Sequence, residues 1–171
     1  MKNNDSRILF APGTISAPAN APIIVADGLR TPENVGALIR LAANVGSTSV
    51  FLVGCNAMKE NKIRKTACMA RDYVKLSFVP TPADLLLLIP PAYQLVAVET
   101  SPQSINIYSQ PLPRNVVLVV GSEVHGISPE LLSLCPTHVH IPMTGPDTSM
   151  NVSQAAAVAL FEWVRLHVAN A

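Results

Sequence analysis

The chain has 171 residues, of which 49% are hydrophobic and 13% are charged, and its formal net charge is +1. This length predicts one domain over residues 1–171 with a substantial core, and the near-neutral charge does not indicate the marked basic face of most nucleic-acid-binding proteins. No run reaches the ~18 uninterrupted apolar residues of a membrane helix, and the N-terminus lacks the apolar core of a signal peptide, so we expect a cytoplasmic protein.

The three cysteines, Cys55, Cys68 and Cys135, are odd in number and lack CxxC spacing. They predict neither a disulfide framework nor a zinc site, so we expect buried, reduced thiols. His138 and His140 alternate along a predicted strand and share a face, but two histidines alone are a weak metal site. We therefore expect no bound metal.

The first elements follow an irregular lead-in, which we predict for residues 1–20. The apolar residues 22–26 predict a buried strand. Residues 31–33, Thr-Pro-Glu, then offer a hydroxyl cap, a proline at the first helical position and an acid in the first turn, so a helix begins there. Its buried face is spaced at i, i+3, i+4 and i+7, and Gly46 is a plausible end. That face comprises Val35, Leu38, Ile39 and Ala42.

Three residues of this helix are candidates for function. Arg40 lies roughly 140 to 150° from the centre of the apolar face, so it points away from its own core. Asn34 lies in the first turn, near the end of the helix that favours anions. Gly36 costs ~1 kcal/mol relative to alanine, which indicates that a backbone or a ligand approaches closely.

The middle of the chain alternates strands and helices. We predict strands at 49–53, 74–79 and 94–98, a helix at 60–70, and another helix that begins at Thr81. This alternation predicts an α/β fold with a mostly parallel sheet flanked by helices. The helix at 60–70 carries Lys62, Arg64 and Lys65, with further basic residues on either side. They form either an RNA phosphate-binding surface or an ordinary solvated helix face.

The last third of the chain brings polar residues to the ends of buried strands. The run 116–120 predicts a strand buried on both faces, and Gly121-Ser122-Glu123 follows at its carboxyl end, where open α/β sheets bind ligands. Ser128 begins a short helix, and Val139 and Ile141 indicate another strand. The loop 143–150 leads to a helix at 151–167 that is apolar on most sides. Because few residues are charged, contact with a second subunit is the simplest way to bury the remaining apolar face of that helix.

Three motifs in this order resemble those of the SpoU/TrmH methyltransferases of the SPOUT superfamily, over residues 21–168. The first is 34–40, NVGALIR, the second combines 121–123 with 126–128, and the third combines 141–143 with 149–153. The resemblance implies a C-terminal deep trefoil knot at roughly 95–155 and a homodimer. It also implies methyl transfer from S-adenosylmethionine to a ribose 2′-hydroxyl of RNA, with S-adenosylhomocysteine as product. We expect tRNA rather than rRNA, because no appended RNA-binding domain is recognisable.

The resemblance also implies roles for individual residues. Those at catalytic positions are Asn34, Arg40, Glu123, Ser149 and Asn151. Those that would line the methyl-donor pocket are Thr100, Gly121, Ile141 and Met150. A guanidinium is not deprotonated in proteins, so we expect Arg40 to clamp a phosphate and to stabilise the developing alkoxide. We expect Glu123 to organise the strand-end loop through backbone N–H groups, while Ser149 and Asn151 also fit simple helix capping.

Two departures and two alternatives qualify this interpretation. Val124 and Met69 stand where the family often has glycine, and a β-branched residue fits poorly wherever φ is positive. We expect both changes to affect substrate choice. One alternative is a non-catalytic RNA-binding module that retains the fold. The other is a nucleotide enzyme on an ordinary doubly wound sheet, although neither GxGxxG nor a Walker loop follows the first strand.

Overall fold

A computed structural model describes Pro18, residues 20–146 and residues 148–168, so most of the predicted lead-in lies outside the described residues. The strands are β1 (Ile23–Asp27), β2 (Ser49–Val53), β3 (Lys75–Val79), β4 (Gln94–Val98), β5 (Ile105–Asn106), β6 (Val116–Val120) and β7 (Thr137–His140). The helices are α1 (Pro32–Asn44), α2 (Glu60–Ala67), α3 (Pro82–Leu86), α4 (Pro129–Ser133) and α5 (Val152–His167), and a 3₁₀ turn at Cys68–Asp72 follows α2. None of the helices in these ranges is both long and apolar enough to span a membrane.

All seven strands form one parallel sheet in the order β3-β2-β1-β6-β4-β7-β5, which confirms the predicted α/β class. Strand β6 is central, and its five side chains are all buried. Strand β7 lies between β4 and β5, although it follows both in the chain. Because the strands are parallel, the loops after β4, β6 and β7 emerge at the same edge of the sheet.

Local differences from the predicted elements have identifiable causes. Helix α1 begins at Pro32 as predicted, but the hydroxyl of Thr31 caps no backbone N–H group. The basic helix ends at Ala67 rather than residue 70, because Cys68 adopts a φ of 53°. Strand β5 was not predicted, since its two residues pair only with the edge of β7 and carry no alternating pattern.

Gly36 is at a close contact between helices, as its position within α1 predicted. A Cβ added there would lie 2.6 Å from the Cβ of Thr66 and 2.7 Å from the carbonyl oxygen of Ile63, both on α2. Helices α1 and α2 therefore pack backbone to backbone at this point. This contact lies two residues after Asn34 on α1.

The cysteines differ in exposure, so the expectation of three buried thiols was wrong for Cys68, which is exposed beyond the end of α2, and Cys55 is only half-buried. Cys135 is buried, and burial raises the pKa of its thiol to about 12. We expect iodoacetamide to alkylate Cys68 in the native protein near neutral pH and to leave Cys135 unmodified, because the thiolate is the reactive form. Peptide mass spectrometry measures both sites. Equal modification of Cys135 in the folded protein would contradict the buried position of α4 and its neighbours.

Candidate active site

An open cavity of about 220 Å³ lies at the edge of the sheet where β4, β6 and β7 end. Its walls come from residues 98–100 after β4, residues 120–123 with 126 after β6, residues 141 and 143 after β7, and residues between 148 and 155 around the start of α5. Four residues predicted for the methyl donor line this one cavity, although they are far apart in the chain. They are Thr100, Gly121, Ile141 and Met150.

The loop after β6 folds back tightly against the cavity. Ser122 and Gly126 exchange two backbone hydrogen bonds, of 2.9 and 3.0 Å. A Cβ at Gly121 would lie 2.0 Å from the carbonyl carbon of Gly126 and 2.2 Å from the amide nitrogen of Ile127. Only glycine fits at 121, because the chain passes directly over it.

Val124 does not disturb this loop. Its side chain is 70% exposed at the tip, and the positive φ of the loop, 65°, falls at Gly126. Met69 is the other residue that departs from the family. It is exposed, and the positive φ there belongs to the preceding residue, Cys68. Neither departure therefore strains the backbone, because neither Val124 nor Met69 has a positive φ.

Glu99 organises the cavity and was not predicted as a site residue. Its Oε1 accepts a hydrogen bond of 3.0 Å from the N–H of Thr100, and its Oε2 accepts one of 3.0 Å from the N–H of Ile127. A Cβ at Gly126 would lie 2.4 Å from this Oε2. Glu99 thus joins the end of β4 to the loop after β6 and leaves a carboxylate in the cavity wall. The sequence signal that could have indicated this role is an acidic residue directly after a predicted buried strand.

A chain of side-chain hydrogen bonds joins the three motifs. The Nδ2 group of Asn34 donates to Oε1 of Glu123, and Nδ2 of Asn151 donates to Oδ1 of Asn34 at 3.2 Å. Oδ1 of Asn151 accepts from the N–H of Ser153 at 2.9 Å and from its hydroxyl at 2.7 Å. Glu123 therefore accepts from the Asn34 side chain on α1, and no backbone N–H group of a described residue donates to it, contrary to the expectation from the sequence. Glu99 has that role because it lies beneath the loop.

Ser149 and Arg40 take no part in these side-chain hydrogen bonds. Ser149 lines the cavity and is exposed, and Asn151 rather than Ser149 caps α5. Arg40 is exposed on α1 and does not line the cavity of its own chain. Among the described residues it has no hydrogen-bond or ion-pair partner. The outward direction predicted for Arg40 is confirmed, and its guanidinium is available to groups outside this chain.

Two of the three basic side chains of α2 that were predicted to bind RNA form ion pairs with acidic side chains. Lys62 lies 3.9 Å from Glu33, and Arg64 lies 3.4 Å from Glu60 and 3.2 Å from Asp72. Lys65 is exposed, and its ammonium has no partner within the described part of the chain. Exposed pairs of this kind contribute at most about 1 kcal/mol, so phosphates can replace these carboxylates at little cost.

Substitutions at Asn151 separate its cap from its contact with Asn34. We expect Asn151→Ala to destabilise the protein by about 1 kcal/mol, because the N–H of Ser153 loses its acceptor. Asn151→Asp keeps that acceptor and places a negative charge at a helix N-terminus, so stability should stay near the native value. Chemical denaturation measures both. An equal loss of stability in the two variants would show that the bond to Asn34, not the cap, holds this end of α5.

Comparisons with known proteins agree with this geometry. Residues 21–161 match the model of the SpoU rRNA Methylase family. The chain is 37% identical over 160 residues to the 23S rRNA (guanosine-2′-O-)-methyltransferase RlmB of Xylella fastidiosa, a match that covers 88% of this chain and 61% of that protein. It is 29% identical over 141 residues to the tRNA (guanosine(18)-2′-O)-methyltransferase of Aquifex aeolicus, which covers 82% and 67%. The crystal structure of the A. aeolicus TrmH/SpoU tRNA modifying enzyme superposes with a TM-score of 0.76 at 26% identity, over 88% of this chain and 77% of that one. This chain thus spans about three fifths of the length of the Xylella protein.

Proposed function

This chain belongs to the SpoU rRNA Methylase family, and from that premise we propose that it transfers a methyl group from S-adenosylmethionine to a ribose 2′-hydroxyl of RNA. The observation that carries the proposal is the hydrogen-bonded chain of Glu123, Asn34 and Asn151 beside the cavity. It joins all three motifs at one place. Family membership excludes the alternative of an ordinary doubly wound nucleotide enzyme, and the trefoil knot stays a prediction from the family.

The residues that line the cavity suit the methyl donor in polarity and charge. Its apolar wall suits an adenine ring, which needs an apolar slot and a few fixed backbone partners. This wall comprises Val98, Val120, Ile141 and Val152. The carboxylates of Glu99 and Glu123 also line the cavity, and negative groups favour a cation there. S-adenosylmethionine, when bound, supplies a methyl group on a positively charged sulfonium.

The residues around the cavity position and deprotonate the hydroxyl. Asn34 and Asn151 hold each other and Glu123 in fixed orientations, and such positioning can supply several kcal/mol of the barrier. Oε1 of Glu123 accepts from Asn34, which leaves Oε2 to accept the proton of the 2′-hydroxyl, directly or through one water. Arg40 clamps the adjacent phosphate with its planar fork and stabilises the negative charge that develops on the ribose oxygen.

Because Arg40 does not line the cavity of its own chain, we infer a homodimer in which Arg40 reaches the site of the partner subunit. The apolar surface of α5 supports this, since Phe161 is 50% exposed. Arg40→Ala and Glu123→Gln alone should each keep only a small residue of the wild-type rate. A refolded equimolar mixture should recover roughly a quarter of the wild-type rate, because half of the dimers are mixed and one of their two sites is intact. No recovery, with a dimer present by sedimentation, would place Arg40 in its own subunit's site.

The names of the relatives bear on which class of RNA is the substrate. The Xylella relative is named for 23S rRNA and is 37% identical, whereas the Aquifex relative is named for tRNA and is 29% identical. These identities favour rRNA over the tRNA that we expected from the sequence. Labelled methyl transfer to unmodified rRNA and, separately, to unmodified tRNA tests the proposal. Donor binding without label in either pool would favour the non-catalytic RNA-binding module. A cytoplasmic location stays a prediction.

A further inference from the structure

The carboxylate of Glu99 lies in the wall of the donor cavity, and its hydrogen-bonding capacity has no role in the function proposed above. Glu99 comes directly after Val98, the last residue of β4, which belongs to the apolar wall that suits the adenine ring. In S-adenosylmethionine the ribose is bonded directly to adenine, whereas the α-amino group is at the far end of the molecule. An adenine ring at that wall therefore brings the ribose, rather than the amino-acid part, toward Glu99.

Two backbone hydrogen bonds fix the orientation of this carboxylate. Its Oε1 accepts from the N–H of Thr100 and its Oε2 accepts from the N–H of Ile127, each at 3.0 Å. No other described residue donates to either oxygen. A carboxylate has about four acceptor sites, so each oxygen of Glu99 keeps capacity for one further donor. Because the side chain is already held at both oxygens, little conformational entropy is lost when a ligand binds to them.

The ribose hydroxyl groups are the part of the donor molecule that matches two neighbouring acceptors. The 2′- and 3′-hydroxyls are on adjacent carbons, and both can donate to one carboxylate. The amino group of adenine lies between two ring nitrogens, N1 and N7, that only accept hydrogen bonds and would be repelled by a carboxylate. An acidic residue that binds ribose hydroxyls is also a recurrent feature of nucleotide sites in open α/β sheets.

We propose that Glu99 binds both ribose hydroxyls of S-adenosylmethionine, one at each carboxylate oxygen. The proposal rests on the function proposed above, because it takes S-adenosylmethionine as the ligand of the donor cavity. The same carboxylate holds the N–H of Ile127, so the ribose and the loop after β6, which carries Glu123, share one anchor. We expect the protein to discriminate against donors that lack either hydroxyl.

Calorimetric titration with S-adenosylhomocysteine and its 2′-deoxy and 3′-deoxy analogues tests this assignment without methyl transfer. Each deoxy analogue should bind the wild-type protein about 10- to 100-fold more weakly, because one hydrogen bond to a charged group is lost. In Glu99→Ala, S-adenosylhomocysteine should bind more weakly, and removal of either hydroxyl should then cause no further loss. A purely structural role of Glu99 would instead weaken all three compounds by the same factor.

Glu99→Gln is the second variant, in case the loop after β6 does not fold without a side-chain acceptor at this position. It keeps one oxygen, so the loss on removal of a hydroxyl should shrink to about 2- to 10-fold, the range of a neutral hydrogen bond. Glu123→Gln is the matched control, because it makes the same change to another carboxylate of the same cavity. It should keep the full wild-type loss for both deoxy analogues.

Two results would overturn the role of Glu99 while the proposed methyl transfer stands. One is wild-type protein that binds either deoxy analogue as tightly as S-adenosylhomocysteine. The other is a loss on removal of a hydroxyl that is the same in Glu99→Gln as in the wild type, because the hydroxyls would then be bound elsewhere. If neither S-adenosylmethionine nor S-adenosylhomocysteine binds the wild-type protein, the donor site fails and the proposed function fails with it.

Discussion

Replacing Arg40 with alanine should lower the rate of methyl transfer by about 10²- to 10³-fold, the usual cost of removing one donor to a developing oxyanion. The fold should tolerate the change, because Arg40 is exposed and has no partner among the described residues. Stability should therefore change by no more than ~0.5 kcal/mol. Initial rates with labelled donor, together with calorimetric binding of S-adenosylhomocysteine, measure the two effects separately.

Arg40→Lys distinguishes a clamp from a simple positive charge. An ammonium lacks the planar fork that binds two phosphate oxygens, so we expect lysine to recover only a small part of the lost rate. Arg114→Ala is the matched control, because Arg114 is an exposed arginine just before β6, at the opposite edge of the sheet. Near-native activity in Arg40→Lys would exclude the bidentate clamp. An equal loss in Arg114→Ala would point to general RNA attraction instead.

Gly121→Ala should abolish binding of the methyl donor and destabilise the protein by about 1 to 3 kcal/mol, the usual cost of overpacking. The added methyl would lie 2.0 Å from the carbonyl carbon of Gly126 and 2.2 Å from the nitrogen of Ile127. These are backbone atoms that cannot rotate away, and Glu99 holds Ile127 from the other side. The loop after β6 must therefore move, and it forms a wall of the donor cavity.

Gly145→Ala provides the control for this substitution, since a Cβ at that position meets nothing within 4 Å and the residue has no positive φ. Its donor affinity and its midpoint of urea denaturation should match those of the wild type. Calorimetry with S-adenosylhomocysteine and urea denaturation measure both variants. Native donor affinity in Gly121→Ala would show that the loop can open without cost, contrary to the tight packing described here.

The sequence was most informative where one local pattern determines an element. The runs of β2, β4 and β6 have the predicted bounds, because buried parallel strands are continuous apolar segments with clear ends. Asn151 was predicted at the start of α5 and is its N-cap. The four donor-pocket positions were predicted from motif resemblance, and parallel strand ends bring them to one cavity. Their roles in binding stay predictions.

Features that depend on distant residues were not predictable in this way. The role of Glu99 requires the loop after β6 to fold back over β4, which no local pattern shows. The ion pair of Lys62 with Glu33 joins two helices and was missed for the same reason. Likewise, the hydrogen bond that the N–H of Ser128 donates to Oδ2 of Asp27 joins residues 101 positions apart and has no local sequence pattern.

The most direct test of the central claim is the position of a labelled methyl group on RNA after incubation with the protein and labelled S-adenosylmethionine. A methylated 2′-oxygen cannot attack the adjacent phosphodiester, so alkaline hydrolysis should leave the label in dinucleotides that resist cleavage. We predict such dinucleotides from wild-type protein and their loss with Arg40→Ala. Label released as mononucleotides would place the methyl group on a base and contradict the proposed reaction.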